Sequence, residues 1–469
     1  MFRFLTCIAV LVGMTWAAEE RPNFVFIFSD DVNRDTWGVY GNKYCKTPHI
    51  DKLAAEGMLF ESMYCAVAMC APFRQELYSG RSPWRTGTLA NHSKSTPDTK
   101  SLPHYLKPLG YRCALIGKSH VGPKQAYPFD FISGVKDKNE KFVAAAAKYI
   151  DESVEQKKSF CIFLASSDGH APFTTGDASQ YPPDKLTVPP YWLDTPETRQ
   201  QMSVHYAEVT NFDALVGMTR AMLEEKGQLD NTVLMVCSEQ GVQFPFAKWT
   251  CFDNGLHTGL AVRWPKRIKA GSKAPQLLSL MDIAPTLVEL AGGELKSGDV
   301  DGKSFVSVLD GKTDAINDYV IGAFTNCRII DNRERVYPIR SIRDKRYTLI
   351  WCPKHKDITS NVTLTNALGL IDGKSKSTSS HGKGELAMSW VKRRGEDKRA
   401  ALLTERLFNR PEYALYDREA DPYEEKNLAD HPIDAFERLK KALHERLAEL
   451  GDADPIATET KLAGGKARN

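Results

Sequence analysis

The sequence predicts an α/β protein, with a large, mostly parallel sheet flanked by helices, followed by a smaller C-terminal α+β domain. Three observations predict it. Short apolar runs rich in β-formers alternate with stretches of helical spacing through the first two thirds of the chain. Each of those runs ends in polar, ionisable residues. The pattern changes after about Ser307, where strand-like runs are separated by long polar stretches. A chain of 469 residues is also too long for one ordinary core.

The elements follow in order. In residues 1–18, Arg3 supplies a positive start, Phe4 to Trp16 an apolar stretch, and Ala17 and Ala18 a small-residue boundary before charge. That is the order of a secretory signal peptide, so an exported protein, periplasmic or secreted, is expected. The stretch is too short for a stable membrane span, and no later segment is long enough for one. Residues 19–310 are read as the α/β domain. NFVFIFSDD is a β-rich run ending in Asp30 and Asp31, and IDKLAAEGMLF has helical spacing. YRCALIGKSH, SFCIFLASSDGH and TVLMVCSEQG are three further runs. AEVTNFDALVGMTRAMLEEKG is an amphipathic helix between two of them. Ligands of parallel sheets bind beyond the carboxyl ends of the strands. Asp30, Asp31, Lys118, His120, His170, Glu239 and Gln240 therefore share one edge.

Residues 311–469 are read as the smaller domain. YVIGAFTN and RYTLIWCP look like strands, and Lys354 to Lys383 reads as a long polar surface loop. YALYDREADPYEEKNLADHP is turn-rich, AFERLKKALHERLAEL is an amphipathic helix, and KLAGGKARN reads as a disordered tail.

Composition excludes some classes. Sixty-two basic residues against 59 acidic ones leave a net charge of +3, without the basic excess of a nucleic-acid binder. Of the ten cysteines, Cys7 leaves with the signal segment, and Cys113, Cys161 and Cys237 sit in apolar runs as small hydrophobes. Cys45, Cys65, Cys251, Cys327 and Cys352 are candidates for disulfides, with the connectivity left open. No CxxC pair is present, which argues against a zinc ribbon or a thioredoxin-like site.

Two features carry chemistry. Asp30 and Asp31 are adjacent carboxylates at a strand end, and such a pair repels unless a cation or proton lies between them. Hard cations such as calcium take oxygen ligands. The second feature is Cys70-Ala71-Pro72-Phe73-Arg74, followed by Leu77, Ser79 and Gly80. Pro72 suits a first helical turn, which places Cys70 at a helix N-terminus where the dipole favours anions. Taken singly, an Asp pair is common in solvated loops and a cysteine before a helix is common in cores.

C-x-P-x-R followed by a small hydroxyl residue and Gly resembles the maturation motif of the type I, formylglycine-dependent sulfatases. The resemblance runs along most of the chain, through the Asp pair after the first strand, TPHIDKLA, GKSHVGP, SEQG and LYD…DPYEEKNL in order. IGKSHVGP with YPFDF, and QFPFAKW, are most similar to the N-sulfoglucosamine sulfohydrolase branch. This resemblance implies an alkaline-phosphatase-like fold and a sulfuric ester hydrolase acting on a sulfated carbohydrate. It also implies a maturation enzyme that converts Cys70 to formylglycine, and one calcium ion held by Asp30, Asp31, residue 70, Glu239 and Gln240. Arg74 then supports the activated nucleophile, and Lys118 contacts both nucleophile and sulfate. His120 matches the base that releases sulfate and restores the aldehyde. His170 matches the group that protonates the leaving atom, and Lys248 matches a sulfate-binding cation. Asp253 and His257 lie where family members place substrate-binding side chains, and His49 reads as a packing histidine.

The chain departs from the pattern twice. Glu239-Gln240 replaces a shorter Asp followed by Asn or His, and Phe73 stands where the family prefers a small residue. A shifted sulfate floor implies shifted specificity, so an O-sulfated saccharide is expected in preference to N-sulfated glucosamine. A phosphodiesterase or phosphonate hydrolase of the same superfamily, and a catalytically silent sugar-binding relative, are the competing classes. The complete set Cys70, Arg74, Lys118, His120, His170 and Lys248 separates an enzyme from a silent relative. Asn361-Val362-Thr363 also fits a glycosylation sequon.

Overall fold

The computed structural model describes residues 21–135, 138–312, 315–327, 336–359, 361, 364–371, 384–431 and 433–464. The expected signal segment, residues 1–18, lies outside them. Eight strands form the main sheet: β1 (Asn23–Phe28), β2 (Met58–Tyr64), β3 (Arg112–Gly117), β4 (Asp130–Ile132), β5 (Phe160–Ala165), β6 (Thr232–Cys237), β7 (His257–Arg263) and β8 (Ser272–Ser279). Their order is β4-β3-β5-β1-β6-β7-β2-β8. β1 lies between β5 and β6, parallel to both, and β3 is parallel to β4 and β5. β7 alone among the described strands of this sheet runs against both of its neighbours, antiparallel to β6 and β2, so the sheet is mixed but mostly parallel. β1, β5 and β6 are buried along their whole length, as continuous apolar runs covered on both faces must be.

A second sheet, β12-β11-β10-β9, is antiparallel throughout: β9 (Val320–Phe324), β10 (Ile339–Arg343), β11 (Tyr347–Trp351) and β12 (Tyr413–Asp417). The Asp434–Glu449 helix covers it. Leu439, Leu443 and Leu447, four residues apart, present one face to Ile342, Leu349 and Leu415. The Ala323 amide donates to the Ala66 carbonyl at 2.8 Å, so the second sheet braces the chain just before Cys70.

Three sequence expectations are corrected. IDKLAAEGMLF is not one helix: Pro48–Glu56 is helical, and Met58 begins β2. The helix ends at Gly57, whose backbone is non-helical (φ −136°, ψ −139°) and where a Cβ would lie 2.1 Å from the Val262 carbonyl oxygen, so only glycine fits. The tail is ordered further than its composition implies, since Lys461–Gly464 belong to the Pro455–Gly464 helix, anchored by buried Glu459 and Ala463. Cys45, Cys65, Cys251 and Cys352 are buried free thiols rather than disulfides, and burial pushes each thiol up. Within the expected polar loop, Thr365–Ile371 is helical and residues 372–383 lie outside the described residues. Asn361 of the sequon is buried, while 362 and 363 are also outside them.

Candidate active site

Parallel register assembles the site. Phe28 lies level with Ala165 and Cys237, so the chain leaves β1, β5 and β6 at one edge. The Asp30 amide donates to the Asp168 carbonyl at 2.9 Å, and the Lys118 amide to Ala165 at 3.0 Å. Asp31 has φ 56°, a left-handed conformation that non-glycine residues adopt at a cost and that recurs where side chains must be aimed. Gly169, at φ +97°, sits where a Cβ would meet the Asp30 carbonyl oxygen at 2.2 Å, so only glycine lets the two loops meet. Cys70 arrives from the side as the first residue of the Cys70–Ser79 helix, which has no side-chain cap at Met69.

These elements deliver a buried, charge-dense cluster. Cys70 Sγ is 3.2 Å from Asp30 Oδ1, 3.7 Å from Asp31 Oδ1 and 3.4 Å from Lys248 Nζ. Lys248 Nζ donates to Asp31 Oδ2 at 2.5 Å, and Lys118 pairs with Asp30. Arg74 is fully buried. Its Nε donates to Glu239 Oε1 at 2.8 Å and one of its terminal nitrogens to the Lys118 carbonyl at 2.5 Å. The Gln240 amide nitrogen donates to Asp31 Oδ1 at 2.5 Å and Glu239 Oε2 at 3.0 Å, and lies 3.5 Å from Cys70 Sγ. All the predicted metal ligands therefore meet, together with Arg74, Lys118 and Lys248. The longer Glu239 side chain reaches Arg74 directly. Phe73 faces the core instead, with its ring 6.2 Å from that of Phe28.

Three carboxylates, Asp30, Asp31 and Glu239, face three cations, Arg74, Lys118 and Lys248. Burial opposes ionisation of Asp30, yet Lys118, a hydrogen bond from Glu239 and Arg74 hold it well below the usual carboxylate range. Burial pushes Glu239 well up despite Arg74. The Cys70 thiol is pushed well up by burial and by Asp30 and Asp31, so a thiolate is disfavoured. The donor set fits a hard cation. Ligand atoms of Asp30, Asp31, Cys70 and Glu239 lie within 4.8 Å of one another. Gln240 Oε1 is buried without a hydrogen-bond partner, and turning that amide over presents this oxygen to the carboxylates. The one misfit is the Cys70 sulfur, a soft ligand that calcium does not favour and that an oxygen-bearing residue 70 removes.

Two histidines flank the cluster. His170 Nε2 is 3.8 Å from Asp31 Oδ2, while its Nδ1 bonds to the Ala171 carbonyl at 2.7 Å. His120 Nε2 is 2.8 Å from His92 Nδ1, and His120 Nδ1 is buried and unpartnered. Burial, then Lys118 and Arg74, push His120 down to about 3, which keeps it neutral. Lys118, His170 and Glu208 line a cavity of about 490 Å³. A larger one, about 940 Å³, is lined by Lys273, Gln276, Arg346 and Tyr347 and contains no residue of the cluster. The side chains rather than cavity size place the chemistry.

Asp253 and His257 lie in a separate buried network. His257 Nδ1 bonds to Asp253 at 2.8 Å and its Nε2 to the Glu61 carbonyl at 2.9 Å, and its ring stacks on Tyr64 at 4.2 Å. Asp253 also accepts from Tyr64 and faces Arg418. Among the described residues, neither bonds to the cluster. His49 donates its amide to Asp213 and packs against Gly217, the packing role its sequence context predicts.

Sequence reasoning missed His92 and Glu208. His92 is an exposed loop residue, and only its position after Asn91 at the end of an apolar turn marks it. Glu208 interrupts the buried face of the Pro196–Glu225 helix, which is the signal that could have found it. It accepts from the amides of Gly169, Thr174 and Thr175 at 2.8, 2.5 and 3.1 Å, so it clamps the loop that carries His170.

The sulfatase family profile matches residues 22–293, and the profile for the N-sulphoglucosamine sulphohydrolase C-terminal region matches residues 241–365. An ulvan-active sulfatase of Formosa agariphila is 32% identical over 428 residues, covering 89% of this chain and 77% of its own. Human N-sulphoglucosamine sulphohydrolase is 25% identical over 495 residues, covering 94% and 92%. The solved structure of BT4656 with its substrate D-glucosamine-2-N,6-O-disulfate shares the fold at TM-score 0.66 and 19% identity, covering 93% of this chain and 99% of that one. The sheet is accordingly of the alkaline-phosphatase-like kind. On the match over residues 22–293 and the 32% identity, the chain belongs to the sulfatase family and carries the C-terminal region of its N-sulphoglucosamine sulphohydrolase branch.

Proposed function

We propose that this exported sulfatase removes sulfate from a saccharide, with residue 70 acting as formylglycine and one calcium ion held by Asp30, Asp31, residue 70, Glu239 and Gln240. The observation that carries the reading is Cys70 Sγ lying between two buried carboxylates and Lys248 Nζ, with distances of 3.2 to 3.7 Å. When bound, calcium supplies positive charge against sulfate oxygens, and formylglycine supplies a nucleophilic oxygen at position 70. The chain's own groups do the rest. Three cations balance three carboxylates, so a divalent ion leaves the site positive and suited to an anionic ester. Lys118 and Lys248 bind the sulfate oxygens beside residue 70, and Arg74 fixes Glu239 and the Lys118 backbone around it.

The His170 Nδ1 bond to Ala171 turns Nε2 toward the cluster, and the proton for the leaving atom passes through Nε2. His120 is kept neutral and so able to take up a proton, and the contact of its Nε2 with His92 Nδ1 orients its ring. Asp253 and His257 would act on substrate through the Tyr64–Arg418 side of their network. The Glu239–Arg74 pair departs from the family's shorter acid, and the reading keeps an O-sulfated sugar as the favoured substrate over an N-sulfated one. A maturation enzyme in the host and a cleaved signal segment belong to this reading, with residues 19–310 as the catalytic domain and 311–469 as the smaller one. The test is a screen of matured enzyme on O-sulfated galactose, N-acetylgalactosamine and glucosamine beside N-sulfoglucosamine and a phosphonate monoester. Highest catalytic efficiency on an O-sulfated sugar is expected. Preference for N-sulfoglucosamine overturns the specificity, and preference for the phosphonate overturns the reaction class.

A further inference from the structure

Arg410 is a buried charge without a counter-charge. It follows the Lys398–Phe408 helix, is 9% exposed, and its Nε has no hydrogen-bond partner. It forms no ion pair among the described residues. Its guanidinium lies over the Phe252 and Phe246 rings, 4.7 and 5.8 Å from their centroids. Ring faces compensate part of a cation's lost hydration but leave the N–H edge unfilled. Arg406 lies over the Phe246 and Phe252 rings at 5.0 and 5.9 Å, and among the described residues it pairs with one carboxylate, Glu425, at 4.0 Å. Two like charges thus share one aromatic platform, and burial with no nearby acid pulls the Arg410 pKa down. Both arginines line a cavity of about 50 Å³, together with Cys251 and Cys352. Burial pushes those thiols up to about 11 and about 12, so neither supplies negative charge near neutral pH. A buried cation in such surroundings needs a counter-ion.

We propose that this cavity is a binding site for a small inorganic anion, held by the Arg410 and Arg406 guanidiniums. The cavity exceeds the room one water needs and is too small for a saccharide. It lies between Thr250–Phe252, which begin two residues after Lys248, and the β10–β12 side of the second sheet. A bound anion there ties the sulfate-binding segment to that sheet. Chloride from the medium and sulfate from the reaction share the required chemistry.

The test uses the full mature protein, whether or not it turns over any sulfate ester. Crystals grown with bromide, and separately with sulfate, are examined at Arg410, and unfolding temperature is followed against chloride and sulfate at constant ionic strength with gluconate as reference. Arg410→Met is the control, because it keeps the stem over the rings and subtracts general salt effects. The expected result is an anomalous bromide peak or tetrahedral density beside the guanidinium. A saturable rise in unfolding temperature, absent in the variant, should accompany it. The salt that produces both names the source. No density with either anion, and the same salt response in wild type and variant, overturns the site. If the variant does not fold, the wild-type crystals decide alone.

Discussion

Lys248→Met separates the sulfate site from the maturation motif, because Lys248 lies outside C-x-P-x-R while its Nζ is 3.4 Å from Cys70 Sγ. Lys248 and Asp31 form a pair 2.5 Å apart, with side chains 2% and 0% exposed. Methionine keeps most of the stem and removes the charge. Breaking a buried pair by removing one partner costs about 3–5 kcal/mol, since the remaining carboxylate is stranded. In chelator-treated protein the variant should therefore unfold in urea with a stability lower by about that amount. Calcium supplies the missing charge to Asp31, so the gap should narrow as calcium is added. The narrowing equals the difference in calcium affinity, so a variant that binds about tenfold more tightly than wild type recovers about 1.4 kcal/mol at saturating calcium. Turnover should not recover with it, because a cation stabilising transition-state charge typically contributes about 10²–10³ in kcat. The assay is urea unfolding with and without calcium, beside steady-state kinetics on an active sulfated sugar. A stability loss below about 1 kcal/mol without metal would place Lys248 outside a desolvated pair. Turnover within about threefold of wild type would remove it from the sulfate site.

Three further outcomes follow from particular contacts. Cys70→Ser whose residue 70 is unoxidised serine by mass should keep the fold and the carboxylates but lose turnover, because a serine sulfate ester cannot expel sulfate through an aldehyde; turnover of wild-type order from that unoxidised protein would contradict the nucleophile. His92→Ala should lower kcat more than it raises KM and be rescued by added imidazole, since His92 is exposed and 2.8 Å from His120 Nε2; an unchanged pH–kcat profile without rescue would make the contact incidental. Glu76 is buried, accepts from the Ala66 amide, and burial pushes it up to about 8. A raised carboxyl contributes stability that is complete below its unfolded pKa and is lost as pH rises through the folded value, so wild type should lose about 4 kcal/mol relative to Glu76→Gln between pH 4 and 9. A pH-independent difference, followed by chemical denaturation, would show that Glu76 titrates normally.

The address of the site was readable because parallel strands release their chains at one edge. Asp30, Lys118, His170 and Glu239 each follow a continuous apolar run, so four separated polar endings had one destination. The Cys70 helix start was readable from Pro72. Met58–Tyr64 was not readable as a strand, because a short apolar run after a helix continues the helical pattern until a backbone contact such as Gly57 against Val262 interrupts it. The reversal of β7 within the sheet is set by tertiary pairing and has no local signal. His92 and Glu208 act through contacts with loops distant along the chain, 28 and 39 residues from His120 and Gly169, which no periodicity records. The interior ends of Glu239 and Arg74 meet for the same reason: the departure at Glu239 was visible, but its direct reach to Arg74 was not.

The most direct measurement is the mass of the peptide spanning residue 70, taken from a preparation that is turning over a sulfated saccharide and came from a host with the maturing enzyme. The account predicts the mass of formylglycine in place of cysteine, in a fraction that rises in proportion to specific activity across preparations. Full activity in a preparation whose residue 70 is entirely unmodified cysteine would contradict it.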